Sequence, residues 1–144
     1  MKLYVQIIKG KDGSPLVAVP RQRGSVFDLM AATNITIKKG ELKKIRLGMK
    51  IHIPKGFQAL ITPKNGTYDL YSLVLVDSPI YKFNSKTHNE LSLIGMAVND
   101  ITIKQGNRIA TLEMQPKQNA TVWQKLQWLF TKWKVKVVDD INER

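Results

Sequence analysis

"ITIKKGELKKIRLGMKIHIPKGFQALITPKNG", residues 35 to 66, decides the fold class. Three short runs within it, "ITIKK", "IRLGMKIHIP" and "FQALITP", are rich in aliphatic and β-branched residues, the composition of strands. Lys39-Gly40, Pro54-Lys55-Gly56 and Asn65-Gly66 punctuate them, each placing a glycine where a turn needs positive φ. The same grammar continues on both sides. "LYVQIIK", "YSLVLVD", "LSLIGMAV", "DITIKQG" and "RIATLEM" predict further strands, with Asp12-Gly13 and Gln105-Gly106 as further turns. Short strands with turn signals roughly every eight to twelve residues predict an all-β sandwich or barrel. No internal repeat or low-complexity segment competes with that reading.

The pattern changes after Pro116. In "ATVWQKLQWLFTKW", Val122, Leu126, Leu129 and Trp133 recur at helical spacing, and Trp123 and Phe130 widen the stripe. That phase predicts a helix with this stripe buried and Trp128 on the opposite, polar side. The period then falls to two. Trp133, Val135 and Val137 alternate with Lys132, Lys134 and Lys136, which predicts a half-buried strand with its lysines outward. The expected organisation is a β domain over residues 1–116 and a helix–strand extension over 117–144, packed on the same domain or on a neighbouring subunit. An exposed tryptophan beside lysines makes Trp128, Lys134 and Lys136 candidate partner contacts.

Composition narrows the chemistry. With no cysteine, disulfides, thiolate catalysis and cysteine-ligated zinc are excluded, and His52 and His88 are too few for a histidine-rich metal site. No apolar run approaches the roughly 20 residues of a membrane span. The start "MKLYVQIIKGKDG" reads as a first strand and not a signal peptide, so an intracellular protein is expected, and the Asn-x-Thr triplets at Asn34, Asn65 and Asn119 are taken as chance. A formal charge of +12 favours polyanions: nucleic acid, nucleoside triphosphates or an acidic protein face.

Residues 1 to about 116 resemble the dUTPase superfamily. "GSVFDLMAA" (24–32) is similar to the family's first motif through Asp28, Leu29 and Ala31. The run from Ile35 to Gly66 follows the family's approach to its second motif, with Gly40, Gly48, Ile51, Pro54, Gly56 and Pro63 in register. "GNRIATLEM" (106–114) is similar to the fourth motif, with Gly106, Arg108, Ile109, Ala110 and Leu112 matching. The resemblance implies a trimeric, jelly-roll-like β fold, either a β-clip or a barrel, that hydrolyses dUTP to dUMP and pyrophosphate, with Mg²⁺ as cofactor in an active member. It places Lys64, Asn65, Gly66 and Arg108 at the phosphates, although Lys64 replaces an arginine and Thr111 a glutamine. The continuous apolar runs "SLVLV" and "LSLIGMAV" fit strands covered on both faces around a threefold axis.

Departures from the family pattern concentrate in the third motif, where an aspartate orients the attacking water and a tyrosine excludes a ribose. In "LVLVDSPIYKFNSKTHNEL" (73–91), Asn84 falls opposite the aspartate and Thr87 opposite the tyrosine. An asparagine amide has no basicity with which to activate water. Tyr81 is a substitute ring for the nucleoside pocket, and Asp77, Glu90 and Asp28 are candidate acids. No glycine follows Pro116, so the glycine-rich arm that closes the family's site is expected to be replaced by the helix–strand extension. Two readings follow. One is a non-catalytic trimeric binding or structural protein, phage-encoded, in a virion or as a regulator. The other is an active dUTP diphosphatase with a rearranged third motif; within it, Glu90 is also the only match to the glutamate of the related dCTP deaminases. A third reading is a nucleic-acid binder using Lys38, Lys39, Lys43, Lys44 and Lys50. It lacks aromatic residues interleaved with those lysines, which single-strand binding requires.

Overall fold

The structure, a computed structural model, describes residues 1–82, 89–130 and 132–141. In chain order the elements are β1 (Lys2–Ile7), β2 (Gln22–Arg23), β3 (Val26–Met30), β4 (Ile35–Ile37), β5 (Leu42–Arg46), β6 (Met49–His52), β7 (Phe57–Pro63), α1 (Thr67–Tyr71), β8 (Leu73–Leu75), β9 (Ile80–Lys82), β10 (Ser92–Ala97), β11 (Ile101–Ile103), β12 (Arg108–Pro116), α2 (Val122–Phe130) and β13 (Lys134–Val137). Each run expected to be extended from the sequence contains strand, one of them divided in two. The architecture is jelly-roll-like but not a closed barrel: among the described residues the strands form separate sheets, ordered β2-β3-β12-β7-β9, β13-β1-β6, β5-β10-β8 and β11-β4.

One continuous core joins them. Phe27 and Leu29 of β3, Phe57 and Ile61 of β7, and Leu112 and Met114 of β12 face inward, and Leu3, Val5, Ile45 and Leu93 meet them from the other sheets. The run expected as one strand, "IRLGMKIHIP", is broken at Gly48 into β5 and β6, which belong to different sheets. Gly48 has φ +72, and a Cβ there would stand 3.0 Å from the Ala32 Cβ. Only glycine fits a corner that is both left-handed and that tightly packed. The apolar strands β8 and β10 are buried on one face only. Val76 and Ile94 are exposed on the other, as is Leu42 of the adjoining β5.

The C-terminal segment is tied to this body. β13 runs parallel to β1, with Leu3 opposite Val135, and Lys134 and Lys136 are exposed. Trp133 is buried edge-on against Phe57, with ring centroids 5.3 Å apart. The helix itself is rotated from the expected phase. Trp128 is half-buried against the core and its indole N–H donates to the Met114 carbonyl at 3.0 Å, whereas Val122, Trp123, Leu126 and Leu129 are exposed. The expected phase counted Trp133 as part of the helical stripe, but α2 ends at Phe130 and Trp133 enters the core from extended chain. Freed of Trp133, the helix is oriented by Trp128 and by Gln124. The Gln124 side chain accepts from the Thr121 N–H at 2.9 Å and donates to the Lys55 carbonyl at 3.3 Å. The Gln124 N–H donates back to the Thr121 hydroxyl at 3.1 Å, completing a capping box.

This orientation has a direct test. Trp128→Ala removes ring packing and a hydrogen bond and is expected to cost roughly 2 to 4 kcal/mol in urea denaturation. Trp123→Ala, on the open side, is expected to stay within about 0.5 kcal/mol of the parent.

Candidate functional site

The site is built where β12 lies between β3 and β7. Thr111 of β12 is opposite both Asp28 of β3 and Thr62 of β7, and the two threonine hydroxyls are 3.2 Å apart. A register shift between Arg108 and Ala110 marks a β-bulge at the start of β12. Bulges re-aim neighbouring side chains, and this one also makes the Ile109 carbonyl available. That carbonyl accepts from the Lys64 N–H at 3.1 Å and from the buried Thr67 hydroxyl at 2.9 Å. The Lys64-Asn65-Gly66 turn is thereby fastened to β12. Gly66 caps α1 at φ +88, a left-handed conformation that suits a turn exposing its amides.

Asp28 organises the charge. It is buried, and its Oδ1 accepts from Lys64 Nζ at 3.2 Å. Arg23 Nη2 lies 3.5 Å from the same oxygen, and Arg108 Nη1 lies 3.9 Å from Oδ2. One carboxylate thus faces three cations, leaving an excess of two positive charges at the protein surface. Lys64, Asn65, Thr67, Tyr71, Asn107 and Arg108 contribute to a cavity of about 390 Å³ beside this cluster. Two larger hollows, of about 490 Å³ beside Trp128 and Trp133 and about 800 Å³ beside Gln58 and Asn119, each carry a single lysine. The smaller cavity is the one whose chemistry suits a multiply charged anion.

The fold therefore brings Lys64, Asn65, Gly66, Arg108 and Asp28 together. Asp28 stands there as the shared counter-charge of Lys64, Arg23 and Arg108. The other proposed acids are engaged elsewhere. Both oxygens of Asp77 accept from the Ile94 N–H, at 3.2 Å each, which closes the end of the β8–β10 pair. Glu90 grips Arg46 through two short bonds, 2.8 Å from Nη2 and 3.0 Å from Nε, and also accepts from the Gly48 N–H at 3.2 Å. The Glu90 carboxylate holds the Arg46 guanidinium above its ordinary pKa. Tyr81 pairs with Leu60 of β7 and its ring is about half exposed. Asn84 and Thr87 lie outside the described residues.

Sequence reasoning passed over Arg23, Asn107, Thr67 and Tyr71. Arg23 reaches Asp28 because β2 and β3 form a hairpin turning at Gly24-Ser25. That two-residue glycine loop was the available signal. A Mg²⁺ ion is not accommodated by these groups alone: Asp28 faces cations, and no cluster of three or more His, Cys, Asp or Glu occurs among the described residues. Removing the central carboxylate tests its role. Asp28→Asn leaves three cations without their counter-charge and is expected to cost about 3 kcal/mol, with the loss measured by denaturant titration reduced when sulfate is added.

Comparison with known proteins gives the family. The family model described as dUTPase matches residues 14–128. The SPbeta prophage-derived deoxyuridine 5'-triphosphate nucleotidohydrolase of Bacillus subtilis is 30% identical over 101 residues, covering 69% of this chain and 71% of that protein. The deoxyuridine 5'-triphosphate nucleotidohydrolase of Caldanaerobacter subterraneus subsp. tengcongensis is 30% identical over 118 residues, covering 78% and 79%. Among solved structures, a mutant dUTPase from phage phi11 of S. aureus, reported with a structural Mg(II) ion, superposes with a TM-score of 0.67 at 16% identity, covering 83% of this chain and 94% of that one. The dUTPase of Staphylococcus bacteriophage 80alpha with dUpNHpp superposes at 0.66 and 17% identity, covering 83% and 85%. The structures share the fold and the relatives share the sequence over most of its length, so the chain belongs to the dUTPase family.

Proposed function

We propose that this chain is a trimeric dUTPase-family protein that binds the phosphates of dUTP or a closely related nucleoside triphosphate and no longer hydrolyses it. The observation that carries the proposal is the Asp28 cluster: one buried carboxylate, three cations and a cavity lined by Lys64 and Arg108. Surplus positive charge gathered beside a turn with a left-handed glycine suits phosphate groups. Hydrolysis needs in addition a group that takes a proton from water. Between Ile80 and Asn89 the sequence contains no carboxylate, and the acids on either side, Asp77 and Glu90, are held by the Ile94 amide and by Arg46. Tyr81, Asn84 and Thr87 form the nucleoside end in this reading.

Trimer formation is supported by apolar surface that the single chain leaves open. On the outer face of β5-β10-β8, Leu42 is opposite Met96, and Met96 is opposite Val74, with Ile94 and Val76 beside them. Trp123, Leu126 and Leu129 of α2 are exposed as well, and in this reading they replace Trp128 as the candidate contacts of the C-terminal element. Like surfaces on neighbouring copies are the natural cover for such patches. Active dUTP diphosphatase is the second reading, favoured by relatives of 30% identity that are named as dUTP nucleotidohydrolases.

Calorimetry with dUTP, paired with a pyrophosphate-release assay, separates the two. The proposal expects binding that weakens about tenfold or more in Lys64→Ala or Arg108→Ala, with pyrophosphate release at the level of the protein-free blank. Turnover of about one per second or faster establishes the second reading instead. Light scattering is expected to give three times the 16.4 kDa chain mass, and a monomer mass at micromolar concentration overturns the trimer.

A further inference from the structure

We propose that the cavity between the β2–β3 hairpin and the C-terminal element is a second ligand site, one that takes a planar base carrying a single phosphate, a nucleoside monophosphate. The hollow has a volume of about 490 Å³ and is lined by Gln22, Gly24 and Ser25 of the hairpin and by Trp128, Lys132 and Trp133. That volume lies within the roughly 300 to 1,000 Å³ of small-molecule sites. The cavity is distinct from the one beside Asp28, with which it shares no lining residue.

Its walls are tied to one strand and to each other. Met114 of β12 holds both sides: its N–H donates to the Ser25 carbonyl at 3.0 Å, and its carbonyl accepts from the Trp128 indole N–H at 3.0 Å. The Gln22 side-chain nitrogen donates to the Gly24 carbonyl at 2.8 Å and also to the Trp133 carbonyl, which fastens the hairpin to the C-terminal segment. Trp133 is buried behind them against Phe57. A ligand entering such a hollow does not have to order its walls, which lowers the cost of binding.

The polar groups left over select the ligand. Two carbonyls fix the Gln22 side-chain nitrogen as a donor, so its Oε1 remains an acceptor. The Ser25 hydroxyl and the Lys132 ammonium have no partner among the described residues. One acceptor, one hydroxyl and one cation therefore stand around the half-buried Trp128 ring. An indole wall suits a planar ring, an amide oxygen accepts from a base N–H, and an ammonium with a hydroxyl suits an anion. Charge sets the number of phosphates. A single lysine balances one phosphate, whereas a triphosphate is better met by the three cations around Asp28. A purely apolar ligand leaves Gln22, Ser25 and Lys132 unpaired, and a hard cation finds no carboxylate in the lining.

Heteronuclear NMR of the indole N–H groups tests the proposal on the full-length protein, with UMP and AMP as probes. The Trp128 and Trp133 signals are expected to shift saturably, while that of Trp123, on the open side of α2, stays in place. Lys132→Ala is expected to weaken the response about tenfold, and Lys132→Arg to retain it. Lys64→Ala alters the Asp28 cluster and is expected to leave these shifts unchanged, so this site stands or falls independently of triphosphate binding there. Ribose phosphate, which has no base, is expected to leave the signals where they are. Circular dichroism confirms that each variant is folded. The proposal is overturned if neither nucleotide moves the Trp128 and Trp133 signals, or if Lys132→Ala responds like the parent. It is equally overturned if Lys64→Ala is as damaging as Lys132→Ala, or if ribose phosphate reproduces the shifts.

Discussion

A carboxylate taken out of water must be neutralised where it stands, and Asp28 meets that requirement with three cations drawn from three places in the chain. Arg23 comes from the β2–β3 hairpin, Lys64 from the turn after β7, and Arg108 from the bulged start of β12. Desolvation of the carboxylate makes its neutralisation obligatory; Lys64 meets it by a hydrogen bond, and Arg23 and Arg108 add their charge from more exposed positions. The central sheet, the Lys64 turn and the cavity beside it are therefore one electrostatic unit. The same surplus of charge that makes the cluster costly without a partner makes it receptive to phosphate.

The β architecture was largely legible in the sequence because period-two alternation and turn glycines are local signals. Gly13, Gly40, Gly56, Gly66 and Gly106 all adopt the positive φ expected of them. The phase of α2 was not legible. The helix has tryptophans on both sides, and what orients it is the docking of Trp128 on the core and the Met114 carbonyl together with the Gln124 bond to the Lys55 carbonyl, contacts with residues of other elements. Gly48 was visible as a glycine but not as a corner, since its crowding comes from Ala32 and Val17, distant in sequence.

The candidate site shows the same division. Lys64, Gly66 and Arg108 are readable from motifs because each belongs to a local turn or bulge. Arg23 depends on a hairpin closing correctly, and the engagement of Asp77 and Glu90 depends on partners in other strands. Chemistry in this family fold therefore cannot be assigned by the presence of an acid in the right segment. What matters is whether its oxygens are already satisfied.

The parallel pairing of β1 with β13 has a consequence for how the molecule is made. The contact between Met1 and the Lys132 carbonyl spans 131 positions, so β1 has to wait for a strand made more than a hundred residues later before its sheet is complete. Contacts of such sequence separation close slowly, because loop entropy is lost before any compensating interaction forms. During that interval β1 has only β6 as a neighbour and presents an unpaired edge. Lys2 flanks that edge, and charge of this kind is what discourages a nascent strand from pairing with another chain.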